Sequence, residues 1–206
     1  MSRCVIVSAA EIKNYKKIKS FLLPTDYFIF CDAGLNHQKE LGVTPNLIVG
    51  DFDSTQRPET SIETIQLPCE KDDTDTFYAV KEALKRGFDD FILLGVIGNR
   101  FDHSMCNISC LLYLYEKGIP ATIIDDYSEM SIAGSNPVFI EDKYSYFSLM
   151  NVTGDVSGVT IKNAKYTLDN SEIKASYMYG SSNEVLPGKI AEVSIKNGNL
   201  LLIKVW

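Results

Sequence analysis

Leu47-Ile48-Val49-Gly50-Asp51-Phe52-Asp53-Ser54 is a short apolar run that breaks at a glycine into carboxylates, and the same grammar recurs through the first half of the chain. Tyr27-Phe28-Ile29-Phe30 leads into Cys31-Asp32-Ala33-Gly34, and Thr64-Ile65-Gln66-Leu67 is followed by Lys71-Asp72-Asp73-Thr74-Asp75. Phe91-Ile92-Leu93-Leu94-Gly95-Val96 precedes Arg100-Phe101-Asp102-His103. If these runs are parallel strands, their carboxyl ends share one sheet edge, which is where open α/β sheets bind ligands. Carboxylates gathered there repel one another unless divalent cations or a cationic ligand sit among them. The pattern therefore points to a metal-dependent, phosphate-handling site on an α/β sheet.

Working outward, the first ~125 residues alternate as a doubly wound unit should. Cys4–Ser8 reads as a buried strand, Glu11–Phe21 as a short helix and Asn36–Leu41 as a helical turn closed by Gly42. Thr76–Arg86 is a helix that Thr74 or Asp73 can cap, with Phe77, Val80 and Leu84 on one face and Gly87 at its end. His103–Tyr115 is helical by pattern, and Ala121–Ile124 is a further strand. Beyond residue 128 helical periodicity stops. The strand candidates there are Val138–Glu141, Tyr144–Met150, Gly158–Ile161, Ile190–Ile195 and Leu200–Val205. The last two flank Lys196-Asn197-Gly198-Asn199, a hairpin signal. The expected fold is an α/β domain with a doubly wound, mostly parallel sheet over residues 1–128, then a small antiparallel β-sandwich domain over 129–206. The boundary falls within 126–136.

At 206 residues the chain is long enough to bury a sizeable core. A formal charge of −7 and the lack of any basic run argue against a nucleic-acid partner. No apolar stretch reaches the length of a membrane span. Five cysteines, an odd number with no CxxC pair, and no secretory segment make a reducing cytoplasm the simplest location.

Asp51 and Asp53 can face a common centre and offer the hard oxygen ligands that suit Mg²⁺, although a DxD pair also caps helices. Lys71-Asp72-Asp73-Thr74-Asp75 places three acids at a presumed helix start, more than a cap requires. Arg100 follows loop glycines and can clamp a polyphosphate, while Asp102 can orient it, cap the next helix or bind a ligand. His103 reads as an ordinary first-turn residue and His37 as unremarkable. Cys106 and Cys110 read as core. Neither a Walker A ending nor a GxGxxG fingerprint is present.

Taken in order, these clusters resemble the thiamine pyrophosphokinase (thiamine diphosphokinase) family. Asp32-Ala33-Gly34-Leu35-Asn36-His37 is similar to its Asp-Gly-Gly-Ala-Asn segment. The stretch from Leu41 through Pro45-Asn46 to Asp51-Phe52-Asp53-Ser54 is similar to its most recognisable motif. Lys71-Asp72-Asp73-Thr74-Asp75, and Arg100-Phe101-Asp102-His103 with Asn107, match the next two, and Ser182-Asn183-Glu184 resembles a signature of its C-terminal β domain. The resemblance implies transfer of the β,γ-pyrophosphoryl group of ATP to the hydroxyl of thiamine, with release of AMP, and a homodimer with sites near the subunit interface. It assigns Mg²⁺ to Asp51, Asp53 and Asp75. It puts Asp32, Asn36, Arg100 and Asp102 on the nucleotide and phosphate side. Lys71, Asp72 and Thr74 fall near the transferring group or thiamine, and Ser182 near thiamine. Ala33 and Asn99 stand where the family favours glycine.

Three other readings compete. A pyrophosphokinase for another heterocyclic alcohol would keep the metal and ATP apparatus and change the acceptor. A thiamine diphosphate or nucleotide sensor would have less need of Asp51, Asp53, Asp75 and Arg100 together. A phosphohydrolase with Asp51 as nucleophile would release inorganic phosphate without an acceptor.

Overall fold

The apolar runs of the first half do become parallel strands. This computed structural model describes residues 2–52, 59–70 and 72–206, and the chain divides into two compact units, Met1–Asp126 and Tyr127–Trp206. The proposed metal ligand Asp53 and the candidate catalytic residue Lys71 lie outside the described residues.

In the first unit the strands are β1 (Arg3–Val7), β2 (Tyr27–Cys31), β3 (Leu47–Gly50), β4 (Glu63–Gln66), β5 (Asp90–Leu94) and β6 (Ala121–Ile124). They lie in the order β4-β3-β2-β1-β5-β6, and every neighbouring pair is parallel. β1, β2, β3 and β5 are apolar almost throughout because both faces are covered. The edge strand β4 keeps its first and last residues exposed.

The helices depart from the sequence reading in length or in the face they bury. The expected helix over 11–21 is only α1 (Tyr15–Lys19), started by the Asn14 side chain, which accepts from Lys17 N. The turn after β2 begins as a 3₁₀ segment, Asp32–His37, continues as α2 (Gln38–Leu41) and stops at Gly42 with φ 71°. In α3 (Asp75–Lys85) Thr74 is the cap, and its hydroxyl accepts from Phe77 N at 3.2 Å. The buried face of α3 is Thr76, Ala79, Val80 and Ala83. Small residues let the helix lie close to the sheet, so of the predicted stripe only Val80 is fully buried. α4 (Phe101–Glu116) buries Cys110, Leu111 and Leu114, whereas Cys106 is exposed rather than in the core.

The second unit is a sandwich of two antiparallel sheets. The strands are β7 (Ser128–Ala133), β8 (Val138–Glu141), β9 (Tyr146–Met150), β10 (Val156–Lys162), β11 (Leu168–Ile173), β12 (Ile190–Ser194) and β13 (Leu200–Val205). β13 pairs with β7 on one side and β9 on the other, and the second sheet runs β11-β10-β12-β8. Phe147, Leu149, Leu200 and Leu202 from one sheet meet Ile140, Val159, Ile161 and Val193 from the other in a single core.

Two expectations fail here. Asn197-Gly198 does not close a hairpin, because β12 and β13 belong to different sheets. Asn197 instead bridges Ser157 through backbone bonds of 3.1 Å in both directions, and the link carries the chain from one layer to the other. β7 and β11 also escape the sequence reading, β7 lying inside the predicted linker. Ser128, Glu129 and Ser131 interrupt the apolar residues of β7, which leaves no long apolar run to mark it. No helix among the described residues is long and apolar enough to cross a membrane.

Candidate active site

The strand order of the first unit reverses between β1 and β5, so the loops leaving these neighbours diverge and open a crevice at their carboxyl ends. A cleft of about 370 Å³ lies there, lined by Ser8, Ala10, Gly95, Gly98, Arg100 and Asn107 among others. A second cavity, of about 430 Å³, shares Ser8, Ala9, Arg100, His103 and Asn107 with the first and adds Asp32, Asp51, Thr74 and Asp75. The two form one groove with a glycine-lined end and an end where three carboxylates gather.

Backbone geometry brings the carboxylates together. Asp32, directly after β2, has φ 44°, and Phe52, after β3, has φ 55°. Both are left-handed conformations that L-residues adopt at a cost, and such strain concentrates at functional sites. Gly50 permits the close approach of these strand ends: a Cβ there would lie 3.2 Å from Asp32 Cα and Cβ. Asp75 is the first residue of α3, and the Cys31 thiol reaches its carbonyl at 3.7 Å. Three elements thus deliver Asp32, Asp51 and Asp75 to one cavity. Ala33 and Asn99 both keep negative φ, so neither departure from glycine strains its loop.

The segment 72–75 divides its labour. Asp73 pairs with Lys81 Nζ at 2.8 and 2.9 Å, Thr74 caps the helix while lining the cavity, and Asp72 is exposed and outside the lining. Arg100 holds Asp102 bidentately, Nε–Oδ1 at 3.0 Å and Nη2–Oδ2 at 2.5 Å, which keeps the Asp102 carboxyl below the usual carboxylate range. Both side chains are exposed, and an ion pair of this kind contributes little to stability. Arg100 is therefore oriented by Asp102 yet available to exchange it for a phosphate. Asn36 is not brought to the groove; it lines a separate recess with Leu35, Gln38 and Thr44.

The sequence reading missed the wall made by Ser8, Ala9 and Ala10, which carries no titratable group. It also undervalued His103, which lines both cavities, and Asn107 and Ser104, which fix the arginine loop. Asn107 Nδ2 donates to Val96 O at 2.8 Å, and Ser104 Oγ accepts from Gly98 N at 3.1 Å.

In the second unit Ser182 is exposed with φ 56°, its N–H donating to Ser148 Oγ at 3.0 Å. Its neighbour Asn183 is buried and structural. The Asn183 amide accepts from Tyr166 N at 3.0 Å and donates to Tyr166 O at 2.7 Å.

Among the described residues no group of three or more His, Cys, Asp or Glu is close enough to hold a metal ion. The donor chemistry nevertheless fits a hard cation: Asp32, Asp51 and Asp75 offer carboxylate oxygens to one cavity.

Residues 18–123 match the family model of the thiamin pyrophosphokinase catalytic domain, and residues 138–200 that of the thiamin pyrophosphokinase vitamin B1 binding domain. A thiamine pyrophosphokinase of Bacillus subtilis is 28% identical over 185 residues, covering 86% of each chain. Thiamin pyrophosphokinase 1 of Caenorhabditis elegans is 23% identical over 99% of this chain and 88% of its own. Among solved structures, the thiamine pyrophosphokinase of Bacillus subtilis superimposes with TM-score 0.87 at 24% identity over 99% of both chains. A thiamin pyrophosphokinase family protein from Enterococcus faecalis gives 0.82 at 27% identity over 100% of this chain and 99% of the other. With one family's two domain models matched in order along most of its length, the chain belongs to the thiamine pyrophosphokinase family, enzymes that transfer a pyrophosphoryl group from ATP to thiamine.

Proposed function

We propose that this chain converts thiamine and ATP to thiamine diphosphate and AMP in the groove of its first unit. One observation carries the proposal: carboxylates from three separate elements and a guanidinium line the same cavity at the carboxyl ends of a parallel sheet. The phosphates of ATP lie at the acidic end, and its nucleoside extends towards Gly95 and Gly98. The thiamine hydroxyl attacks the β-phosphorus, the bond from that phosphorus to the oxygen bridging to the α-phosphorus breaks, and AMP leaves with that oxygen. A groove carboxylate accepts the hydroxyl proton.

Phosphoryl-type transfer depends on positioning and on neutralising charge. Arg100 supplies a bidentate cation to the phosphates, and Asp102 holds it in place until they arrive. Asp51, Asp53 and Asp75 hold Mg²⁺, which when bound offsets the charge of the polyphosphate against the carboxylates. Asp32 and Thr74 line the phosphate end, and the family resemblance assigns Lys71 and Asp72 to the transferring group or thiamine. Thiamine carries a fixed positive thiazolium charge, which favours the same acidic surroundings. Residues 1–128 form the ATP- and metal-binding domain and residues 129–206 the thiamine-binding domain, with Ser182 contacting thiamine. We further propose a homodimer with active sites near the subunit interface, on the family resemblance. A cytoplasmic location agrees with five free thiols and with the need for ATP.

ATP labelled on its γ-phosphate tests the reaction. Pyrophosphoryl transfer carries the label into thiamine diphosphate as its terminal phosphate. Label appearing as inorganic phosphate without an acceptor refutes transfer in favour of hydrolysis, and label moving only to another alcohol refutes the acceptor.

A further inference from the structure

His37 does not line the groove, yet it is 7% exposed and joins two of the elements behind it. Its Nε2 lies 3.1 Å from Ala10 O. A carbonyl only accepts, so Nε2 carries the hydrogen and Nδ1 is left to accept from the Tyr15 hydroxyl at 2.7 Å. Burial pushes the imidazole below its ordinary value and so favours this neutral form. The Ala10 peptide is thereby held at both ends, because its own N–H donates to Gly95 O at 2.8 Å. Ala10 forms one wall of the cleft. It stands against Gly98, where a Cβ would come within 2.8 Å of the Ala10 Cβ. Two residues earlier, Ser8 N donates to Leu94 O at 2.8 Å, and Ser8 Oγ accepts from Thr76 Oγ1 at 3.1 Å. His37 thus links Ala10 to the segment after β2.

We propose that His37 is a positioning residue for nucleotide binding: with Tyr15 it fixes the Ala10 carbonyl and so sets the separation between the Ser8–Ala10 wall and the Gly95–Gly98 loop. The role rests on ATP occupying the groove. It ties the segment carrying Asp32 at the acidic end to the Ser8–Ala10 wall, so that both ends of the nucleotide site are linked through one turn. Nothing in the residue's own chemistry touches the reacting atoms, and its effect falls on ATP rather than on thiamine.

The test is calorimetric titration of ATP with Mg²⁺ into the full chain, as wild type, His37→Ala, His37→Gln and Tyr15→Phe, beside the KM for thiamine and urea melts. Loss of the hydrogen bonds in His37→Ala weakens ATP binding roughly three- to tenfold and leaves the KM for thiamine unchanged. His37→Gln, whose amide N–H takes the place of Nε2–H, restores most of the affinity. Tyr15→Phe, which deletes only a hydroxyl, weakens binding about two- to threefold and carries the test if His37→Ala does not fold. A His37→Ala variant that binds ATP like wild type overturns the role, as does a folded His37→Gln variant no better than His37→Ala. Unaltered affinity in Tyr15→Phe overturns it too. Wild-type protein that binds no ATP overturns the functional reading and this role with it, whereas the other failures leave that reading intact.

Discussion

Replacing Gly95 with alanine isolates the close approach that shapes the groove. Gly95 has φ 59°, and an added Cβ would lie 2.4 Å from Ser8 O and 3.1 Å from Ala10 O, both backbone atoms. Gly118 is the matched control, with φ 71° and nothing within 4 Å of a Cβ. Each substitution carries the left-handed penalty of roughly 1–2 kcal/mol for an L-residue, partly offset by a less flexible unfolded chain. Gly95→Ala adds an overpacking cost of about 1–3 kcal/mol, because the strand-end backbones must separate. The difference between the two urea-denaturation free energies is therefore about 1–3 kcal/mol, with Gly95→Ala the less stable. Moving Ser8 and Ala10 also widens the cleft, so the KM for ATP rises in Gly95→Ala and stays at the wild-type value in Gly118→Ala. Equal stabilities and equal KM values would refute the steric reasoning.

Other outcomes follow from the same contacts. Asp26 accepts from Arg3 Nε and Nη2 at 2.8 Å and from Leu23 N at 2.7 Å. Asp26→Ala strands the Arg3 charge and costs about 3–5 kcal/mol in chemical denaturation, and a loss under 1 kcal/mol contradicts the pairing. Burial lowers the His37 pKa in the folded chain below its ordinary value of about 6.5. The unfolded state then takes up the proton first, so this stability is complete above pH ~6.5 and is lost as pH falls towards the folded value. Wild type should lose stability below pH ~6.5 more steeply than His37→Gln, and parallel pH profiles would exclude that linkage. Ser182→Ala should raise the KM for thiamine and leave that for ATP alone; an unchanged thiamine KM moves the contact elsewhere.

The acidic end of the groove is legible in the sequence because carboxylates follow apolar runs, and parallel pairing then places all of them on one edge. The glycine-lined end is not. Ser8-Ala9-Ala10 carries no titratable group, and its role appears only once β1 and β5 are neighbours. The segment 72–75 shows the same limit: four polar residues look alike until Lys81, two turns along α3, takes up Asp73 and leaves Asp75 facing the cavity. His37 is opaque for a related reason, since its partners lie 22 and 27 residues away. Asn197-Gly198 misleads because a turn dipeptide specifies a local bend and not the sheet that receives the next strand. β7 and β11 carry polar residues among their apolar ones, so that nothing in their own pattern marks them as strands.

The most direct test of the account is a time course of AMP and thiamine diphosphate with ATP, Mg²⁺ and thiamine, in wild type and in Asp75→Asn. Equal amounts of the two products, both absent without thiamine and both lost in a folded Asp75→Asn variant, are the predicted result. AMP without thiamine diphosphate, or full activity in Asp75→Asn, would contradict pyrophosphoryl transfer in the acidic groove.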